Sequence, residues 1–403
     1  MDRSFPLTRE AGLRHLADFT PHMTRDYAAG RNTDRGPEDE TATSALSPYL
    51  RRRLVLEQEV VAAALDAHGP ERAEKFIQEV FWRSYFKGHL ETRPTLWTDY
   101  RELVTLDRQR LASESGLRRV FEDAVAGRTG IDGFDDWARE LTTSNWLHNH
   151  TRMWFASIWI FTLRLPWALG ADFFMRHLID GDPASNTLSW RWVAGLHTRG
   201  KAYVAQAENI RRYTEGRYDP DGLDENPVPL EEPEPAAASS LPPADQPPEG
   251  EVALLLHLDD LHPESLPLGD ARVVRVGGLL AHADGAVERV RDADRTAMTD
   301  ALARAGTYFG CAATLQEPAT LESSWADGLP VVAAWAPVGP SAAALPDCLR
   351  VRRDWDTLSW PKATRGFFQL KTTIPRITTE LGCNPRRLAA LPGGAAAMPR
   401  QAS

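Results

Sequence analysis

"WLHNHTRMWFASIWIF", residues 146–161, sets the problem. Three Trp, two Phe and two Ile crowd a segment that opens with His148, Asn149, His150 and Arg152. At a helical period the apolar residues cover nearly every face, so the spacing predicts a buried helix. A polar group taken from water without a partner costs roughly 2–7 kcal/mol. The polar end of this helix therefore asks for a partner. Asn149, Arg152 and Met153 stand three and four apart, on one helical face.

Working outward, the flanking segments are helical almost throughout. "RRRLVLEQEVVAAALDAHG" (51–69) has apolar positions three and four apart and stops at Gly69-Pro70. "ERAEKFIQEVFWRSYFKGHL" (71–90) is amphipathic. No convincing strand precedes about residue 250. Residues 220–250 are rich in Pro, Glu and Ala and read as a solvated, semi-extended linker. Beyond it the texture changes. "EVALLLHL", "ARVVRVGGLL", "CAATLQ" and "PVVAAWAPV" read as strands, with "DRTAMTDALARAGTYFG" and "PATLESSWADG" as helices between them. That alternation implies a small α/β layer with a mainly parallel sheet. "SWPKATRGFFQLKTTIPRITTEL" (359–381) reads as one more helix, and the tail as disordered. The expected organisation is an all-α domain over 1–219, a linker over 220–250, an α/β domain plus terminal helix over 251–380, and a disordered 381–403.

The charge is divided in the same way. The net −10 is not spread evenly: residues 1–217 carry 30 Lys+Arg against 30 Asp+Glu, and the rest carry 16 against 26. The whole acidic excess lies in the second half, which leaves the first free to display a local basic face. No uncharged apolar run reaches about 18 residues, so no membrane span is expected. The N-terminus lacks an apolar signal core. Cys311, Cys348 and Cys383 fit neither a disulfide framework nor a zinc site, which points to a reducing cytoplasm. No G-x-G-x-x-G or G-x-x-x-x-G-K-[ST] is present.

Four polar motifs remain. In "TATSALSPYL" (41–50), Thr43, Ser44 and Ser47 bunch at a helix start, either as plain caps or as an anion site. In "EVFWRSYF" (79–86), Glu79 shares a face with Trp82 and Arg83, the plain alternative being a surface ion pair beside a core Trp. His148 and His150, two apart, cannot converge on one metal ion from a helix. "DGDPASNTLSWRW" (180–192) has Asp180, Asp182 and Asn186 but lacks the Gly and final Glu of a calcium loop. It also reads as a polar turn into a Trp-rich helix.

Taken in order, "TSALSPYL", "EVFWR", "TGIDGFDDWARELTTSNWLHNHTRMWFAS" and "DGDPASNTLSWRW" resemble the flavin-binding helical domain of the cryptochrome/photolyase family over roughly residues 1–203. The resemblance implies FAD held bent in a central cavity. It makes Tyr27, Thr43, Ser44, Ala45, Leu46 and Ser47 phosphate-side contacts, with Arg83 near the diphosphate. It places Arg152, Asp180, Asp182 and Asn186 around the flavin ring and ribityl chain. Asn149 would touch both flavin and lesion. Glu79, Trp82, Met153 and Trp192 would hold a flipped cyclobutane pyrimidine dimer, and Trp167 and Trp190 would begin an electron relay. The implied function is light-driven repair of UV-damaged DNA. A blue-light receptor signalling to a partner through the C-terminal half is the alternative, and an unrelated flavin oxidoreductase a third. Asn149, in place of a second His, disfavours the (6–4) photoproduct subtype.

The sequence also departs from the family pattern. The third relay Trp is missing near 113–118, which reads "SESGLR". His150 stands where an Arg touches DNA phosphate in many photolyases. The α/β segment follows the helical one instead of preceding it.

Overall fold

The computed structural model describes residues 5–37, 43–246, 248–316 and 323–383. As the apolar periodicity predicts, helices dominate up to Tyr213, and the first strand begins at Gly250. The long helices Glu74–Glu91, Thr95–Ser113, Trp167–His177 and Pro183–Val193 form the frame. The Gly69-Pro70 pair breaks the run before them: Gly69 is left-handed, with φ 72°, a conformation that only glycine adopts freely.

The 146–161 stretch is not one uniform helix. Its α-helix covers Asn149–Ser157, and a π-helical turn, Ile158–Thr162, continues it. Such turns are rare and collect at functional sites. Trp154, Phe155, Ile158 and Trp159 are fully buried, as the all-round apolar pattern requires. Helix 167–177 comes close to them at Gly170. A Cβ there would stand 2.3 Å from the Trp190 ring and 2.9 Å from Trp159 Nε1.

Five strands build a fully parallel sheet: β1 Gly250–His257, β2 Ala271–Leu279, β3 Ala312–Gln316, β4 Val331–Ala334 and β5 Leu349–Val351, in the order β3-β2-β1-β4-β5. The continuous apolar run of β1 marks a strand covered on both faces. Helix Glu288–Phe309 makes the crossover from β2 to β3. The three-residue β5, with little apolar run, left no readable signal.

Three expectations are revised. Residues 220–249 carry no helix or strand among the described residues, as their composition predicts, but they are strapped to the molecule. The Leu230 N–H donates to Ala194 O at 3.0 Å, the Ser239 N–H to Thr92 O at 2.8 Å, and the Asp245 N–H to Arg350 O at 3.0 Å. The 359–381 stretch is not one helix. It breaks into a 3-10 turn, Phe367–Lys371 and Ile374–Glu380, because Pro361, Gly366 and Pro375 interrupt it. Only the 3-10 turn Ser323–Ala326 and the turn after it are described in the expected helix 318–328; its first residues, 318–322, lie outside the described residues, as does the tail from 384.

The helices and the sheet share one apolar core. Leu54, Val55 and Val60 belong to the same buried cluster as Val252, Leu254, Val276 and Ile377. A charged seam runs beside it. Arg51 pairs with Asp259 at 2.6 Å and Arg52 with Asp294 at 2.5 Å. Arg53 meets Asp356 at 2.6 Å and Asp260 at 3.3 Å, and Arg353 closes on Asp260 at 2.6 Å. No described helix is long and apolar enough to cross a membrane.

Candidate flavin cavity

A cavity of about 480 Å³ opens between the helices. Every residue assigned by resemblance to flavin or lesion lines it: Tyr27, Thr43–Ser47, Glu79, Trp82, Arg83, Asn149, Arg152, Met153, Asp180, Asp182, Asn186 and Trp192. Trp190 lines it too. Trp167 does not. It is buried elsewhere, its Nε1 donating to Glu232 at 2.9 Å and its ring stacked on Tyr100 with centroids 5.7 Å apart. Trp97 lies a further 5.3 Å from Tyr100.

Local sequence explains how each polar group reaches the cavity. Asp182 caps helix 183–193, its side chain accepting from the Ser185 N–H at 2.8 Å, with Pro183 at the first helical position. This fixes the carboxylate at a helix start and turns Asn186 inward one turn later. The Asn186 amide is locked by donating to Ala171 O at 2.8 Å. Asp180, just before the cap, accepts from the Ser47 hydroxyl at 2.5 Å and from Arg152 Nη2 at 3.0 and 3.1 Å. Ser47 is thus no cap. The helix it opens, Ser47–Arg51, has only one turn, and its capping position is Leu46, with no side-chain hydrogen bond.

The electrostatics are those of buried, mostly paired groups. Burial pushes the Asp180 carboxyl up, but Arg152 and Ser47 hold it below the ordinary range. Burial opposes the Asp182 carboxylate more than any other factor, yet Lys87, Arg83 and Arg51 hold its pKa far below normal. Lys87 Nζ and Arg83 Nη2 stand 3.6 and 3.7 Å from it, beyond hydrogen-bond distance. Arg83 Nε and Nη2, Lys87 Nζ and Asp182 Oδ2 have no hydrogen-bond partner among the described residues. Buried ionic groups with spare donors and acceptors are costly unless a further polar group completes them. A polar, anionic cofactor chain fits that requirement, and the flanking Trp, Phe and Met side chains suit an aromatic ring system.

At the outer end Glu79 forms an ion pair with Arg31, a partner hidden from sequence spacing because it lies 48 residues away. Burial pushes the Glu79 carboxyl above the usual range, and Arg31 only partly opposes this. Lys87 and Phe367 also escaped the sequence reading. Lys87 falls on the buried side of helix 74–91, and Phe367 belongs to a distant segment. The two His of the opening stretch serve the scaffold. His148 Nδ1 caps its helix by accepting from the His150 N–H at 3.2 Å. His150 is buried, bonded to Asn32 O at 2.9 Å and Tyr203 Oη at 3.0 Å, and stacked on Trp154. Among the described residues no group of three or more His, Cys, Asp or Glu is placed to hold a metal ion.

The helical part of the chain is similar in sequence to known proteins. Residues 76–223 match the family model described as "FAD binding domain of DNA photolyase". A deoxyribodipyrimidine photo-lyase of Streptomyces griseus is 32% identical over 215 residues, covering 50% of this chain and 45% of the relative. The Escherichia coli protein of the same name is 29% identical over 206 residues, covering 49% and 42%. A crystallised bacterial class III photolyase from Agrobacterium tumefaciens overlies 51% of this chain and 44% of its own, at 26% identity and a TM-score of 0.41. The chain spans somewhat less than half the length of the curated relatives it matches. Over residues 76–223, which carry much of the cavity lining, this chain matches the FAD-binding domain of the photolyase/cryptochrome family.

Proposed function

We propose that the chain is a light-dependent repair protein that splits cyclobutane pyrimidine dimers in UV-damaged DNA, with FAD held in the cavity. One observation carries the reading. The residues assigned to flavin and to dimer come from separate stretches between Tyr27 and Trp192, yet they line a single cavity.

When bound and reduced, the flavin supplies the electron on absorbing light; everything else falls to the protein. The hydroxyls of Thr43 and Ser44, with Arg83, suit the diphosphate end; Ser47 stands beside them with its proton committed to Asp180, and Tyr27 and the backbone at Ala45 and Leu46 close it. The Asp180–Arg152 pair and the locked Asn186 amide orient the polar edge of the ring. Asp182 and its two cations sit by the ribityl chain. Trp82, Met153 and Trp192 offer apolar walls to a flipped base pair, and stacking of this kind recovers about 1–3 kcal/mol per base. Damaged bases are poorly stacked, so extrusion costs only a few kcal/mol.

Glu79 is the catalytic carboxyl of this reading. Paired with Arg31 at the outer end of the cavity, it lies beside Trp82, where a hydrogen-bonding group can act on charge developing on the dimer. Asn149, at the first turn of helix 149–157, lies between the two ligands. Trp190 and Trp167 serve as the electron relay, and Tyr100, stacked on Trp167, is the next ring outward. His150 is buried and bonded within the fold, so this reading gives it no DNA phosphate.

The second reading is a blue-light receptor that binds FAD without repair and passes its signal to a partner through the C-terminal half. The specific observation favouring it is Phe367, which lies over Trp82. The deciding experiment gives FAD-loaded, chemically reduced protein an oligonucleotide carrying one thymine dimer, under blue light and in the dark. Light-only restoration of the thymines supports repair. Intact dimers despite bound, reduced flavin move the reading to the receptor.

A further inference from the structure

The closest ring pair among the described residues joins the two halves of the chain. Phe367 lies on Trp82 with centroids 3.9 Å apart and planes 11° from parallel. Phe367 and Gly366 line the cavity alongside Trp82, and Phe367 meets Tyr85 edge-on at 5.9 Å. Phe367 is half-buried, and its neighbours Gly366 and Phe368 are exposed, so the ring sits at the mouth and not in the core.

The chain on either side is fixed. Upstream, Trp360 Cα would be 2.7 Å from a Cβ at Gly88, so the segment is pressed onto helix 74–91. Ala363 O accepts from His89 Nδ1 at 3.1 Å, and Thr364 O from Arg93 Nη2 at 2.9 Å. Downstream, Leu370 and Ile377 are fully buried. Phe367 opens a single helical turn, Phe367–Lys371, held at its far end by Leu370, and Gly366 before it has open space on its side-chain side. The ring therefore can move without unseating the segment that carries it.

Trp82 has one face turned to the cavity mouth, and Phe367 covers it at the spacing a stacked base requires. A pyrimidine and Phe367 cannot share that plane. We propose that Phe367 is a base-mimicking gate: it holds, on Trp82, the place of a flipped pyrimidine and is displaced by it. This rests on the reading of the cavity as a pyrimidine-dimer pocket. Exchange of one aromatic stack for another keeps displacement inexpensive. The closed form withholds the pocket from ligands that cannot replace the stack, and lowers apparent affinity by the fraction of molecules that are closed.

The test uses the full chain loaded with FAD, as wild type, Phe367→Ala and Phe367→Leu; leucine keeps apolar volume without a ring, should alanine unfold. Two quantities are measured in the dark: Kd for a single-stranded oligonucleotide with one thymine dimer, and quenching of flavin fluorescence by iodide. The gate predicts that both variants bind the dimer about threefold or more tightly, as removal of a closed population requires, with iodide access increased. Weaker or unchanged dimer binding with unchanged iodide access overturns it and makes Phe367 a fixed wall. Failure of the underlying reading looks different: no variant then prefers dimer to undamaged oligonucleotide. Iodide access still decides whether Phe367 closes the mouth.

Discussion

Asp180 and Glu79 show what single residues do here. Asp180 is the hub where Ser47 and Arg152 meet, so Asp180→Ala leaves a half-buried guanidinium without its carboxylate. Hydrogen bonds to charged groups are worth about 1.5–3 kcal/mol, so FAD affinity should fall roughly tenfold to a hundredfold. Flavin absorbance per protein after gel filtration measures this directly. Glu79→Gln keeps the shape but loses the charge that pairs with Arg31. Its expected result is retained flavin with dimer-splitting yield down about tenfold, on the same scale of one charge-assisted hydrogen bond. Equal yields in the variant and the parent would remove Glu79 from the chemistry.

At the scale of elements, helix packing depends on two glycines. Gly170 lets helix 167–177 lie against Trp190, and Gly88 lets the C-terminal segment press on helix 74–91. In both cases the added methyl meets atoms that cannot easily yield: an indole ring at Gly170, and backbone plus a buried side chain at Gly88. Overpacking of this kind costs about 1–3 kcal/mol. We expect Gly170→Ala to lower the melting temperature and disturb flavin binding, because Trp190 lines the cavity. Gly88→Ala should lower the melting temperature and also loosen the segment that carries Phe367, visible as faster amide exchange over 360–371.

The whole molecule is held by the Arg51–Arg52–Arg53 seam and a shared apolar core. Arg53 is almost fully buried, with carboxylates from Glu57, Asp260 and Asp356 around it. Its replacement by Met leaves Glu57 and Asp356 without this arginine, while Asp260 keeps Arg353, and should cost about 3–5 kcal/mol, read as a shift in the urea midpoint. We propose that 1–219 and 251–380 act as one folding unit joined by a strapped connection. A protease site inserted near 235, once cut, should then leave two fragments that co-elute at the intact size. Their separation on the column would establish independent domains.

The pH dependence also belongs to this scale. Burial pushes His89 down to about 3, and His148, His177 and His197 to about 4. A depressed His pKa means the unfolded chain takes up the proton first, so stability is lost as pH falls from about 6.5 toward 4. Asp182 and Asp260, depressed by their cations, extend the loss to lower pH. Glu79 and Glu91, raised by burial, act in the opposite sense but are fewer. Urea midpoints at pH 7.5, 6 and 5 should fall in that order.

Local chemistry made much of this legible in the sequence. Apolar period separated helices from strands, Gly69-Pro70 marked a helix stop, the polar residues from Asp180 marked a turn into a Trp-rich helix, and four motifs in order carried the family resemblance. These signals lie within a few residues of one another, where backbone geometry alone links cause and effect. What the tertiary structure decided is everything that joins distant stretches. Arg31 reaches Glu79, Lys87 reaches Asp182, three arginines meet carboxylates some 200 to 300 residues on, and Phe367 covers Trp82. No periodicity encodes such pairs. They exist because burial makes an unpartnered charge or an exposed ring expensive, and only the folded chain determines which partner is near enough to relieve it.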